Sequence, residues 1–360
     1  MTPVRAEFLM MTCQTAAAPV VKAEVAARWP DFRFAYSRPG FLTFRLPKSH
    51  RLRADFELGC VFVRSHAFSL GRVAGDDDQQ QAAAAWELVK GLAIDRVHVW
   101  SRDRCEPGYR GFEPRITDED RRIHQLLIDA CPTGRLSARP EQLDQPAEPG
   151  DLVFDCVVVD PGVWYAGFHR ARTGPSQYPG GFWPLVLPEN AVSRAWLKME
   201  EALRWSQLPI GPGARVAEIG SAPGGASQAL LARGCHVLGI DPAEMDARVL
   251  AHPNFTHLRK RSTQVRRREF RKIRWLVADM NVAPNYTLAA VEGIVTHGEV
   301  SVRGMILTLK LIEWEMAFQV AEYLDRIRGW GYNIVRARQL QFNRREVCVA
   351  ALQKPFQRKS

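Results

Sequence analysis

The stretch EIGSAPGGASQALL, residues 218–231, closes a short apolar run and opens a helix-forming one. Few architectures put glycines at such a junction. In α/β proteins, ligands bind outside the carboxyl ends of strands, where a helix begins and glycine lets backbone come close. Three occupants suit the bend: a phosphate, a dinucleotide or a sulfonium cofactor. A Walker-type loop needs GK[ST], which is missing, and Ser221 and Pro223 interrupt the dinucleotide spacing G-x-G-x-x-G. What is left is an acid, Glu218, followed by Gly220, Ala222, Pro223, Gly224 and Gly225. The next apolar run ends in Asp241, about 20 residues on, where a carboxylate can accept both hydroxyls of a ribose. The ligand read from this pattern is S-adenosylmethionine.

The surrounding chain agrees with that placement. RVAEIG, CHVLGID, WLVADM and GMILTLK alternate with helical stretches such as GASQALLARG and WEMAFQVAEYLDRIRGW. Apolar strands linked by crossover helices form a parallel sheet covered on both faces. YNIVRARQL and EVCVAAL are joined by the short turn QFNRR and can only pair antiparallel. A Rossmann-like α/β domain is therefore expected over 186–360, mostly parallel and ending in an antiparallel hairpin. It opens with the helix SRAWLKMEEALRW, in which Ser193 is the predicted N-cap and Lys198 and Glu201 lie one turn on. Ser193 is counted among the cofactor-binding residues.

The first half reads as α+β in small units. EFLMMTC, GFLTFRL, CVFVRSHAF, DRVHVW and a paired LVFDCVVVD and VWYAGFHRA are strands; APVVKAEVAARW, QQQAAAAWELVKGL and EDRRIHQLLIDAC are helices. Polar loops are expected at 101–118 and 134–150. The Pro- and Gly-rich segment 173–190 reads as a linker or rigid arm, and the boundary between a region 1–185 and a domain 186–360 falls there. His66, His98 and His169 lack metal-ligand spacing and are read as satisfied structural histidines, so no metal is expected. Trp164, Tyr165, Phe168 and His169, near Arg170 and Arg172, suit either stacking on unpaired bases or packing in a core.

Charge narrows the partners. The chain carries a net +10, a balance that favours polyanions because neutralising phosphates releases counterions. The run HLRKRSTQVRRREFRKIR, residues 257–274, reads as a solvated helix face or as a nucleic-acid contact. Seven scattered cysteines without CxxC argue against a disulfide framework or zinc site and point to a reducing, cytoplasmic setting. No stretch is long and apolar enough to span a membrane, and MTPVRAEFLMMTCQ lacks the order of a signal peptide. A monomer is the expected state.

SRAWLKMEEAL, GSAPGGASQ, ADMNVAPN, LTLKL and RREVCVAA resemble the FtsJ-like RNA ribose 2′-O-methyltransferases. The resemblance covers roughly residues 190–355 and implies a seven-stranded sheet that binds S-adenosylmethionine. It also implies a Lys-Asp-Lys-Glu tetrad, matched in order by Lys198, Asp279, Lys310 and Glu346, with Asp279 also beside the cofactor. Where that family has an acid for the adenine amine, this chain has Arg261, Ser262 and Thr263, which leaves adenine to backbone groups or implies weaker binding. More loosely, WYAGFHRARTGPSQYPGG ahead of SRAWLKMEEA resembles bacterial enzymes that methylate cytidine riboses of large-subunit (23S) ribosomal RNA. That likeness implies a ferredoxin-like segment and a THUMP-like RNA-binding domain before the catalytic fold.

The residue types suit the chemistry. A ribose hydroxyl is a poor nucleophile that has to be aligned with a methyl donor and relieved of one proton. Burial beside a second cation would lower a lysine from its ordinary ~10.4 towards neutrality. Lys310 is the expected base, or else the cation holding the alkoxide. Asp279 and Glu346 would orient the lysines, and Lys198 would position the hydroxyl or a neighbouring phosphate. Two alternatives stand beside ribosomal RNA methylation: an enzyme for transfer RNA or another structured RNA, and a catalytically impaired RNA-binding or ribosome-assembly factor.

Overall fold

A computed structural model describes residues 6–49, 52–137 and 145–353. Part of the expected 134–150 loop and the first five residues of MTPVRAEFLMMTCQ lie outside the described residues. The chain divides after Trp183 into two compact units.

The first unit runs β1 (Phe8–Thr12), α1 (Ala18–Arg28), β2 (Arg33–Arg38), β3 (Phe41–Arg45), β4 (Ser65–Ala74), α2 (Asp78–Leu88), β5 (Arg96–Ser101), α3 (Asp118–Asp129), β6 (Leu152–Asp160) and β7 (Val163–Arg170). The small units expected from the sequence merge into one seven-stranded sheet, ordered β2-β3-β1-β4-β7-β6-β5. All its pairings are antiparallel except β5 with β6. The edge strand β2 was not legible because its residues are largely exposed and Phe34 and Tyr36 alone make too short an alternation. In CVFVRSHAF the strand begins only at Ser65. Helix α3 starts where a reciprocal cap dictates: Thr117 accepts the Asp120 N–H while Asp120 accepts the Thr117 N–H.

Trp164 and Phe168 are buried in this sheet, Phe168 stacked on Phe68, and Tyr165 packs on Phe41 and Tyr36. Of the two readings of that aromatic group, the core is the one observed. His169 is satisfied, with Nδ1 on Asp155 and Nε2 on the Ser176 carbonyl at 2.8 Å. His98 differs from expectation: it is buried with neither ring nitrogen hydrogen-bonded. Its ligand atoms and those of Asp155 and His169 gather within 4.8 Å, with His169 Nδ1 on Asp155 and His169 Nε2 on the Ser176 carbonyl. Burial, with His169, His124 and Arg96 nearby, holds His98 well below the ordinary histidine range. The start of the expected linker belongs to this unit, for Phe182 and Trp183 are buried and Gln177 bonds the Ala147 carbonyl.

The second unit runs α4 (Ala195–Ser206), β8 (Arg215–Ile219), α5 (Gly225–Ala232), β9 (His236–Ile240), α6 (Ala247–Leu250), β10 (Phe255–Leu258), β11 (Trp275–Asp279), α7 (Pro284–Val295), β12 (Gly304–Lys310), α8 (Val320–Gly329), β13 (Ile334–Arg338) and β14 (Glu346–Leu352). Its sheet order is β10-β9-β8-β11-β12-β14-β13, parallel throughout except that β14 runs antiparallel to both neighbours. The predicted Rossmann-like sheet with a terminal hairpin is therefore present. Strands are added on one side of β8 and then, from β11, on the other; that reversal opens a crevice at the carboxyl ends of β8 and β11. The basic run 257–274 is not a helix: it completes β10 and then makes two short 3-10 turns, anchored by buried Val265, Phe270 and Ile273.

Glu218 ties this crevice together from below. It is 1% exposed on β8 and accepts the Ser227 hydroxyl of α5. Burial, with Asp279 and Asp241 nearby, pushes its carboxyl up to about 8 despite the Ser227 bond. The folded chain thus keeps a proton that the unfolded chain loses above the ordinary glutamate value of 4.5. Stability is fully present below that value and declines as pH rises towards 8, by up to about 1.4 kcal/mol per pH unit. Glu218→Gln keeps an acceptor for Ser227 and should flatten this decline, which urea unfolding between pH 5.5 and 8.5 would read; equal slopes for both proteins would contradict it.

Candidate active site

The glycines of the bend let protein close on protein. Gly220 has φ +79°, and a Cβ there would lie 2.7 Å from the Asp279 carbonyl oxygen, so the ends of β8 and β11 meet only without a side chain. A Cβ on Gly224, at φ +119°, would meet Val249 at 2.7 Å. One on Gly225 would lie 2.2 Å from the Ser193 hydroxyl oxygen. A Cβ at any of these three glycines, which the sequence reading gave to a ligand, would meet neighbouring protein. Ser193 is also not the N-cap: Arg194 holds that place without a side-chain cap, and the Ser193 hydroxyl accepts the Ala195 N–H at 3.3 Å.

Asp241, just beyond β9, steadies the same bend. Its Oδ2 accepts the Ala222 N–H at 3.2 Å and its Oδ1 the Ala243 N–H at 2.8 Å. Each carboxylate oxygen has two lone pairs, so both can still accept a ribose hydroxyl. The Pro223 carbonyl accepts the Asp246 N–H at 2.9 Å.

Lys198, Asp279, Lys310 and Glu346 converge although they come from four elements. Lys310 on β12 and Glu346 on β14 are direct cross-strand partners, and Asp279 on β11 pairs with Thr308 of β12. The Lys310 ammonium donates to Glu346 Oε1 at 2.8 Å and lies 3.9 Å from Asp279 Oδ1. From α4, the Lys198 ammonium lies 2.7 Å from Glu346 Oε2 and 3.6 Å from Asp279 Oδ2. Asn343, which sequence reasoning passed over, also donates to Glu346 Oε2, at 3.4 Å. The signal for it was modest: an amide in the turn QFNRR, three positions before the acid.

Electrostatics correct one expectation. Burial would lift the Glu346 carboxyl, but Lys198 and Lys310 together hold it below the ordinary glutamate range. Burial likewise opposes the Lys310 charge, yet Glu346 and Asp279 outweigh it and raise that ammonium above the ordinary lysine value. The predicted lowering is therefore reversed, since Glu346 and Asp279 both face the ammonium. Lys310 is an ammonium in this structure.

The site has the features a sulfonium cofactor needs. Asp279 Oδ1 is buried without a hydrogen-bond partner, at the crevice between β8 and β11. Asp241 stands at the end of the adjoining strand, and the Gly220–Gly225 bend lies between them. Beyond β10, Arg261 precedes a 3-10 turn, its N–H donating to Gln264 Oε1 at 3.2 Å, and Ser262 is buried. All seven cysteines are free, and no described helix is long and apolar enough to cross a membrane.

Comparison with known proteins gives the same picture. Residues 191–358 match the FtsJ-like methyltransferase family. A ribosomal RNA large subunit methyltransferase M from Laribacter hongkongensis is 30% identical over 322 residues, covering 83% of this chain and 84% of that protein. The protein of the same name from Halorhodospira halophila is 32% identical over 188 residues, covering 50% of this chain and 53% of the relative, so the match spans about half of that protein. Among solved structures, TrmN from Thermus thermophilus aligns with 97% of this chain and 99% of its own at 14% identity and a TM-score of 0.35. With its glycine bend, its strand order and a relative matched along most of both chains, the protein belongs to the FtsJ-like methyltransferases.

Proposed function

We propose that the protein transfers a methyl group from S-adenosylmethionine to a ribose 2′-hydroxyl of large-subunit (23S) ribosomal RNA. One observation carries this reading: Lys198, Asp279, Lys310 and Glu346 meet at the carboxyl ends of β11 and β12, beside the Pro223-Gly224-Gly225 bend. Bound there, S-adenosylmethionine supplies an electrophilic methyl group. Ser193, Gly220, Ala222, Pro223, Gly224, Gly225, Asp241 and Asp279 are proposed to hold it, Asp241 at the ribose.

The chain's own groups have narrower tasks. Lys198 positions the ribose hydroxyl or an adjacent phosphate. The raised Lys310 favours the second of its two expected roles, as the ammonium that steadies negative charge on the reacting oxygen while the proton passes to solvent. Asp279 and Glu346 keep both ammonium groups aimed. The net charge of +10 suits an RNA substrate, and the first unit is proposed to be an RNA-binding module of ferredoxin-like and THUMP-like character. A monomer working in the cytoplasm is proposed, a compartment in which scattered cysteines stay reduced.

Ribose-methylation mapping of cellular RNA with and without the gene is the direct test: loss of one mark in 23S RNA is expected, loss in transfer RNA would redirect the proposal, and no loss would favour an assembly factor. Lys310→Ala should lower the methylation rate by about 10²–10³-fold, the usual cost of removing one donor to a developing oxyanion, while cofactor binding persists. Asp241→Ala should instead weaken S-adenosylmethionine binding in calorimetry with the Lys310 group intact. Because Glu346 raises Lys310, Glu346→Gln should bring the alkaline loss of activity to lower pH. A rate that rises, rather than falls, through the lysine range would make Lys310 the base.

A further inference from the structure

Two adjacent glutamates on α4 face different ways. Glu200 accepts from Arg204 at 3.0 Å and from Arg233 at 2.8 Å, a pairing on the helix flank. Glu201, three residues beyond Lys198, is 2% exposed and turns inward. Its Oε1 accepts the Gln341 N–H at 2.8 Å and its Oε2 the Phe342 N–H at 3.0 Å. Both amides belong to the turn that carries the chain from β13 to Glu346. That turn is braced again from within. Asn343 Oδ1 accepts the Leu340 N–H at 3.0 Å, Asn343 Nδ2 reaches Glu346, and Gln339 Nε2 donates to the Arg344 carbonyl at 3.0 Å.

These bonds form a closed circuit. From Glu201 it passes through the turn to Asn343 and Glu346, across to Lys198, and back along one turn of α4 to Glu201. A buried carboxylate is costly unless hydrogen bonds compensate it, and bonds to an ionised acceptor are shorter and stronger than neutral ones. A neutral side chain could fill the space; a two-oxygen acceptor is what holds two consecutive amides. We propose that Glu201 is a positioning residue for methyl transfer: it clamps the β13–β14 turn to α4 and so fixes the separation of Lys198 and Glu346. The inference rests on reading the tetrad as the methyl-transfer machinery. A displacement of about 1 Å in such groups can cost on the order of 10²-fold in rate.

The test compares Glu201→Gln, Glu201→Ala, Asn343→Ala, Glu200→Ala, Lys198→Ala and the Glu201→Ala/Lys198→Ala pair in the full chain, with unmethylated large-subunit RNA as substrate. Glutamine offers one acceptor oxygen and sets its NH₂ against the second amide, so Glu201→Gln breaks the clamp with little change in volume. The expected result is a fall in kcat of about tenfold or more for Glu201→Gln, Glu201→Ala and Asn343→Ala, with KM for S-adenosylmethionine close to wild type. Glu200→Ala should keep its kcat. The double variant should be no slower than Lys198→Ala alone, because both lesions remove the same geometry. Should Glu201→Ala not fold, Glu201→Gln and Asn343→Ala carry the comparison. Wild-type kcat in folded Glu201→Gln, or losses that multiply in the double variant, would overturn the proposal. Full activity in Lys198→Ala would instead overturn the reading of the tetrad.

Discussion

The second unit depends on one break in its own rule. Six of its strands run one way, and β14 is inserted against the grain between β12 and β13. Only an antiparallel neighbour brings the first residue of one strand level with the last residue of the next, and that is how Glu346 comes to face Lys310. A parallel partner would have sent its opening residue to the far edge of the sheet. The acid would then lie a strand's length from the lysine, and the pair could not form.

Around that pair, charge is arranged rather than cancelled. Glu346 sits between two ammonium groups and is held ionised against the cost of burial. Asp279 lies farther from both, and its Oδ1 accepts no hydrogen bond. Glu218, a strand away and without a cation, takes the opposite course and retains its proton. Glu346 and Glu218 thus differ in state because their neighbours differ, as buried carboxyls do generally.

Much of this was legible in the sequence. Apolar strands alternating with helices specified a parallel sheet, and the five-residue turn QFNRR specified the hairpin, because both follow from local pattern and loop length. The members of the tetrad were legible through resemblance, since single lysines at strand ends carry no signal of their own. Three things were not. The charge state of Lys310 depends on distances between strands, which no spacing along the chain encodes. The tasks of Gly224 and Gly225 depend on Val249 and Ser193, side chains from other segments. The basic run misled because charge density imitates a solvated helix, while the buried Val265, Phe270 and Ile273 that shape it lack helical spacing.

The approach of Ser193 to Gly225 leaves no room for an added methyl group. These positions are therefore one unit of inheritance. A lineage that gains a β-carbon at the second has first to lose bulk at the first, or else lever α4 away from α5. Drift at the two sites should be correlated among descendants of this chain.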